Sequence, residues 1–211
     1  MGTISGTLSK YPDAVVVWVD AHADINTVTS TPSGNIHGMP VAFLMGLPTT
    51  ETIPEFSWIK PGILKPHQIV YIGLRDVDVG EKRILKENGI KAFSMHEVDK
   101  FGIGKVVQMA LDHVNPHRDR PIHLSFDVDA LDPSVAPSTG TPVSIDVYSD
   151  YLAIITLAGP WRADLPGRSL YLRSRSRDRS ASWIRLSRSE SITSRCSGCS
   201  SNSVCGLLSS P

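Results

Sequence analysis

Cysteine is missing from the first 195 residues of this 211-residue chain; the three present, Cys196, Cys199 and Cys205, crowd into its last stretch. Over most of the chain this excludes a disulfide framework, a thiolate-bound metal and a thiol nucleophile. The lone Cys196-x-x-Cys199 has no second pair beside it and is not taken as a metal or redox site. An excess of charge of either sign is also lacking, since Lys+Arg and Asp+Glu both stand at 21. Such balance points to neither nucleic acid nor a membrane surface as partner. No apolar run is long enough to span a bilayer, and residues 1–5 lack the basic and apolar regions of a secretory leader. A soluble, cytoplasmic protein is the expectation.

Two further absences divide the chain. Lys does not occur after Lys105, nor His after His123. From residue 161 onward there are nine Arg, fifteen Ser and one Glu, Glu190, against four Arg in everything before. Residues 173–179 show neither helical nor strand periodicity and too little apolar surface to offset the entropy of ordering. Residues 1–143 are therefore read as a domain and residues 144–211 as an aberrant Ser/Arg-rich tail, expected to be disordered. A retained intron followed by a shifted reading frame is the expected origin of that tail; the competing reading is a genuine Arg-Ser segment that is phosphorylated or binds RNA.

What is present is concentrated around Asp20-Ala21-His22-Ala23-Asp24. It follows a short, continuous apolar run, residues 15–19 (Val-Val-Val-Trp-Val), of the kind that forms a strand buried on both faces. In an extended chain residues two apart point the same way, so Asp20, His22 and Asp24 are expected to leave the end of that strand together. Residues 69–73 form a second such run, ending in Leu74-Arg75-Asp76-Val77-Asp78. Residues 92–95 make a brief third strand, with a short turn at 96–99. Residues 121–126 form a fourth, ending in Asp127-Val128-Asp129. Helices are expected near 1–8, 39–47, 80–88 and 103–114, the last with apolar residues at Ile103, Val106, Val107, Ala110, Leu111 and Val114. Strands alternating with helices predict an α/β fold with a parallel sheet flanked by helices, incomplete at its ends. In such sheets ligands sit outside the carboxyl ends of the strands. Four carboxylates brought together there (Asp20, Asp24, Asp127 and Asp129) repel one another unless a cation intervenes. Carboxylates with one imidazole suit a hard or borderline ion such as Mn²⁺, and their number suffices for two ions.

Four stretches in order, residues 20–26, 33–38, 73–78 and 125–133, resemble the arginases of the manganese-dependent ureohydrolase family, the fungal ones most nearly. The resemblance covers roughly residues 1–143. It implies hydrolysis of L-arginine to L-ornithine and urea by a hydroxide bridging two Mn²⁺ ions. Asp20 and Asp127 would bridge the ions, His22 and Asp129 would complete one, and Asp24 would bind the other and hold the hydroxide. His37 would shuttle protons. Asn26, Ser33 and Asn35 would bind the substrate α-carboxylate, Asp78 its α-amino group, and Thr141 would line the guanidinium end. Arg75 is expected to be a structural ion-pair partner. The family is homo-oligomeric. Two of its features are not found here: a metal-binding His in an upstream Gly-Gly-Asp-His motif, and a later Glu that grips the guanidinium. The chain is thus expected to be truncated at both ends and impaired as an enzyme. Alternatives are another ureohydrolase (agmatinase or guanidinobutyrase), which Ser33 and Asn35 argue against, and a non-catalytic metal-binding fragment.

Overall fold

A computed structural model of the protein describes residues 1–48, 50 and 53–144, and the backbone of three short strands beyond them. Its centre is a four-stranded parallel sheet in the order β3-β2-β1-β4, formed by β1 (Val15–Val19), β2 (Ile69–Leu74), β3 (Lys91–Ser94) and β4 (Ile122–Phe126). Every residue of β1 and β2 is buried, as their unbroken apolar composition requires when helices cover both faces. Alternate residues of β1 enter different cores. Val16 and Trp18 pack with Ile4 and Leu8 of α1 (Gly2–Lys10), Leu44 of α2 (Pro40–Met45) and Ile84 of α3 (Val79–Glu87). Val15, Val17 and Val19 pack with Val98 of α4 (Met95–Phe101) and Val106 of α5 (Ile103–Val114). The six apolar positions expected along α5 are all buried.

Two elements differ from expectation. The turn foreseen at 96–99 is a full helix, α4, because Ser94 and Glu97 form a capping box: Ser94 N donates to Glu97 Oε2 at 2.8 Å, satisfying a donor that would otherwise be orphaned. Gly102, at φ 76°, then turns the chain from α4 into α5. Within β2, the pairing with β3 shifts register between Ile72 and Leu74. Gly73 there has φ 92°, a conformation glycine adopts without a Cβ penalty. Just beyond it, Arg75 N and Asp76 N both donate to Ala21 O, past the end of β1, at 2.9 and 3.0 Å.

The order of strands decides where a site can form. From β1 the chain steps to β2 and β3 on one side, then crosses to β4 on the other. The direction of winding therefore reverses between β1 and β4, the position at which open α/β sheets leave a crevice at their carboxyl edge. Further on, β5 (Leu170–Ser174), β6 (Ser182–Leu186) and β7 (Ser194–Arg195) form an antiparallel sheet in the order β5-β6-β7. No strand was expected there; the apolar spacing of Leu170 and Leu172 and the β-formers Trp183 and Ile184 supply strand preference in windows that average composition hides. The remaining features foreseen in the tail, Cys196-x-x-Cys199 among them, lie outside the described residues. No helix among the described residues is long and apolar enough to cross a membrane.

Candidate metal centre and substrate cleft

β1 and β4 are direct neighbours, with Val19 opposite Phe126, so Asp20 and Asp127 are the next residues of adjacent strands. Asp127 N donates to Val19 O at 2.9 Å, and Asp20 N donates to Ile72 O at 3.2 Å. Beyond these bonds the chain is no longer extended, contrary to the period-two expectation. After β1, the His22 N–H turns back to Asp20 Oδ1 at 2.8 Å, and Asp24 adopts a left-handed backbone with φ 53°. After β4, Asp127 caps a 3₁₀ turn over Val128–Ala130, its Oδ1 accepting from Asp129 N at 3.2 Å. The first Asp of each motif thus folds the chain by an Asx-type turn. Curling loops, not strand alternation, bring the polar side chains together.

One donor atom each from Asp20, His22 and Asp129 lie within 4.8 Å of one another. His22 Nδ1 is 3.3 Å from Asp20 Oδ1 and 3.2 Å from Asp129 Oδ2. Its Nε2 faces Asp76 Oδ2 at 3.5 Å. Asp20 is held from behind by Trp18 Nε1 at 3.1 Å. Asp129 accepts from Thr141 Oγ1 at 2.8 Å through Oδ2. Asp24, Asp127 and His37 line the same cleft, of about 240 Å³. His37 stands exposed on a single 3₁₀ turn, Ile36–Gly38, at the mouth.

The electrostatics describe a site built around positive charge. Burial raises the Asp20 carboxyl well above its ordinary range, and the charges of Asp24, Asp129 and Asp127 push the same way. Burial also opposes ionisation of His22, but the hydrogen bonds it donates to Asp129 and Asp20 and the charges of those carboxylates outweigh it, raising the imidazole to about 11. Asp129, although burial acts against it, is lowered by its bond to His22. An imidazolium here supplies part of the countercharge that the carboxylates demand. A divalent cation would supply more, and would free the ring nitrogen to act as a ligand. Oxygen donors with one imidazole and no sulfur fit a hard or borderline ion.

Around this centre lies a polar arc. Asn26, buried, donates from Nδ2 to Asp78 Oδ2 at 2.8 Å. Its Oδ1 accepts from Ser30 Oγ at 2.8 Å. Ser33 and Asn35 are exposed at the rim, where Asn35 N donates to Ser33 Oγ at 3.2 Å. Sequence reasoning overlooked Glu81. Only 4% exposed, it accepts from Ile25 N and Asp78 N, both at 3.0 Å, and burial raises its pKa. It ties the loop after β1 to the loop after β2. The signal was legible: Asp78-x-x-Glu81 before a helix is a capping-box pattern. The Arg75 guanidinium donates to backbone carbonyls, Asp129 O at 2.6 Å and Val143 O at 2.9 Å among them.

The profile of the Arginase family matches residues 1–151. The chain belongs to the arginase family. It is 72% identical over 145 residues to the arginase of Glaciozyma antarctica (strain PI12), covering 68% of this chain and 42% of that one. Among solved structures, the cold-adapted arginase of the same yeast matches with a TM-score of 0.58 at 70% identity, covering 63% of this chain and 47% of that one. Entamoeba histolytica arginase in complex with L-ornithine matches with a TM-score of 0.60 at 38% identity, covering 68% and 48%. The chain spans less than half the length of each of these arginases. The fold expected from the sequence, a parallel sheet between helices, is that of these arginases.

Proposed function

We propose that this cleft is the metal and substrate site of an arginase-type hydrolase that converts L-arginine to L-ornithine and urea. The observation that carries the reading is the convergence of Asp20, His22 and Asp129 within 4.8 Å at the carboxyl edge of the sheet, with Asp24 and Asp127 lining the same cleft. Two Mn²⁺ ions are the proposed cofactor, and Asp20, His22, Asp24, Asp127 and Asp129 would be the residues that hold them. Bound Mn²⁺ lowers the pKa of water and so supplies a nucleophile near neutral pH.

The chain's own residues do the rest. Ser33 and Asn35, at the rim, offer hydroxyl and amide groups to an α-carboxylate. Asn26 joins them through an amide already oriented by Ser30 and Asp78. Asp78 offers its carboxylate to the α-ammonium, whose position Glu81 fixes by holding the Asp78 backbone. L-Ornithine, bound in the Entamoeba histolytica relative, carries both groups. His37, exposed at the mouth, moves protons between the leaving amine and solvent. Thr141 closes the guanidinium end.

The test is urea release from L-arginine and from agmatine, with and without Mn²⁺, alongside a Mn²⁺ titration. Mn²⁺-dependent release from L-arginine and little from agmatine is expected, with the two ions bound at unequal affinity. Turnover of agmatine at an equal rate would overturn the role given to Ser33 and Asn35. No Mn²⁺ binding at all would overturn the metal centre.

A further inference from the structure

Arg75 stands outside the roles assigned so far, yet it touches every strand end that bears a proposed ligand. Its backbone N–H donates to Ala21 O at 2.9 Å, between Asp20 and His22. Its guanidinium fans across four carbonyls. Nη1 donates to Gly73 O and Ala130 O, both at 3.3 Å. Nη2 donates to Asp129 O at 2.6 Å and Val143 O at 2.9 Å. One residue thus binds the loop after β1, the bulged end of β2, the turn after β4 and the segment that carries Thr141. That segment brings the Thr141 hydroxyl to Asp129 Oδ2, while the buried hydroxyl of its neighbour Thr139 has no partner among the described residues.

From this geometry we infer that Arg75 is a positioning residue that sets the Asp129 ligand. It holds Asp129 by the main chain and, through Val143, delivers Thr141 to the carboxylate from the other side. Asp129 is then braced at both ends, with Oδ2 directed at His22 Nδ1. Only a planar fork with several N–H groups reaches acceptors in four directions; an ammonium is a single point. Outer partners of this kind typically govern metal affinity by about 10–100-fold. The inference deepens the proposed metal centre and rests on it.

The experiment uses the full chain and three substitutions, Arg75→Gln, Arg75→Lys and Thr141→Val, with two readouts. The first is Mn²⁺ affinity by calorimetry and by the Mn²⁺ electron paramagnetic resonance signal. The second is amide hydrogen exchange of the metal-free protein. Arg75→Gln is expected to weaken Mn²⁺ binding at one position at least tenfold and to speed exchange in residues 139–143, with the amides of α5 unchanged. Arg75→Lys should recover part of both effects. Thr141→Val should weaken Mn²⁺ binding while leaving exchange near Arg75 alone, and it reports even if the Arg75 variants do not fold. Wild-type binding of Mn²⁺ in Arg75→Gln and Thr141→Val would overturn the inference and leave the metal centre standing. Absence of Mn²⁺ binding by the unsubstituted chain would sink the metal centre itself, and the exchange measurement would still decide whether Arg75 holds the 139–143 segment.

Discussion

Two histidines of this chain show how surroundings, not residue type, set a role. Without a cation, the carboxylates around His22 raise its imidazole to about 11, whereas His123 is only 2% exposed and burial lowers it from 6.5 to about 4. Its Nδ1 lies 2.8 Å from Thr7 Oγ1, so it serves as a neutral hydrogen-bonding group between β4 and α1. Because the folded value lies below the unfolded one, the unfolded chain binds the extra proton between pH 6.5 and 4. The stabilisation is complete above the unfolded value and is lost as pH falls toward the folded one, by an amount on the order of 3 kcal/mol. Thermal melts from pH 7 to pH 4 should show this decline, and His123→Gln should flatten it. A slope that persists in the variant would assign the decline to carboxylates instead. Glu81 makes the same point for an acid: buried and tied to two backbone N–H groups, it is a brace, not a surface charge of α3.

Helices and loops meet the site through close contacts that only small residues allow. Gly80, in the first turn of α3, lies against the Ser30 turn: a Cβ there would stand 3.0 Å from Ser30 Cβ and 3.1 Å from Ser30 O. Ser30 in turn orients Asn26. Gly80→Ala removes flexibility from a helix, worth about 1 kcal/mol in its favour, but displaces that turn. We expect L-ornithine affinity, measured by calorimetry, to fall about tenfold, roughly 1.4 kcal/mol, with little change in melting temperature. Unchanged affinity would show that Ser30 yields without disturbing Asn26. Gly46 is tighter still, since a Cβ would lie 2.8 Å from Gly62 N and 2.9 Å from Pro61 Cβ on a backbone at φ 62°. Gly46→Ala should cost about 1–3 kcal/mol of stability by denaturant melts and leave the cleft's chemistry alone.

For the molecule as a whole, the sheet is both core and site scaffold. Ile72, fully buried in the centre of β2, is expected to lose about 2–5 kcal/mol on Ile72→Ala, a large share of what a domain has to spare. The carboxylate cluster would act in the opposite direction: like charges brought together disfavour the folded state, and a bound cation would offset that. Mn²⁺ at about 100-fold above its dissociation constant should therefore raise stability by roughly 2.7 kcal/mol, seen as a rise in melting temperature that Asp20→Asn abolishes. No rise in the unsubstituted chain would contradict the metal reading.

Local periodicity was enough to place the four strands of the parallel sheet, the buried face of α5 and the carboxylate-bearing strand ends, because side-chain alternation is a property of a few consecutive residues. That β1 and β4 end side by side was legible too, from their shared endings in carboxylates, although the pairing joins groups such as Ala21 and Asp129 that lie 108 positions apart. The manner of convergence was not legible. Asx turns and the left-handed Asp24 replaced the extended segment expected, since a carboxylate near free N–H groups folds the chain back once strand pairing ends. The partners of Arg75 were hidden for a different reason. Backbone carbonyls are present at every residue, so no pattern of residue types reveals which of them a guanidinium will meet; only the packed loops decide that.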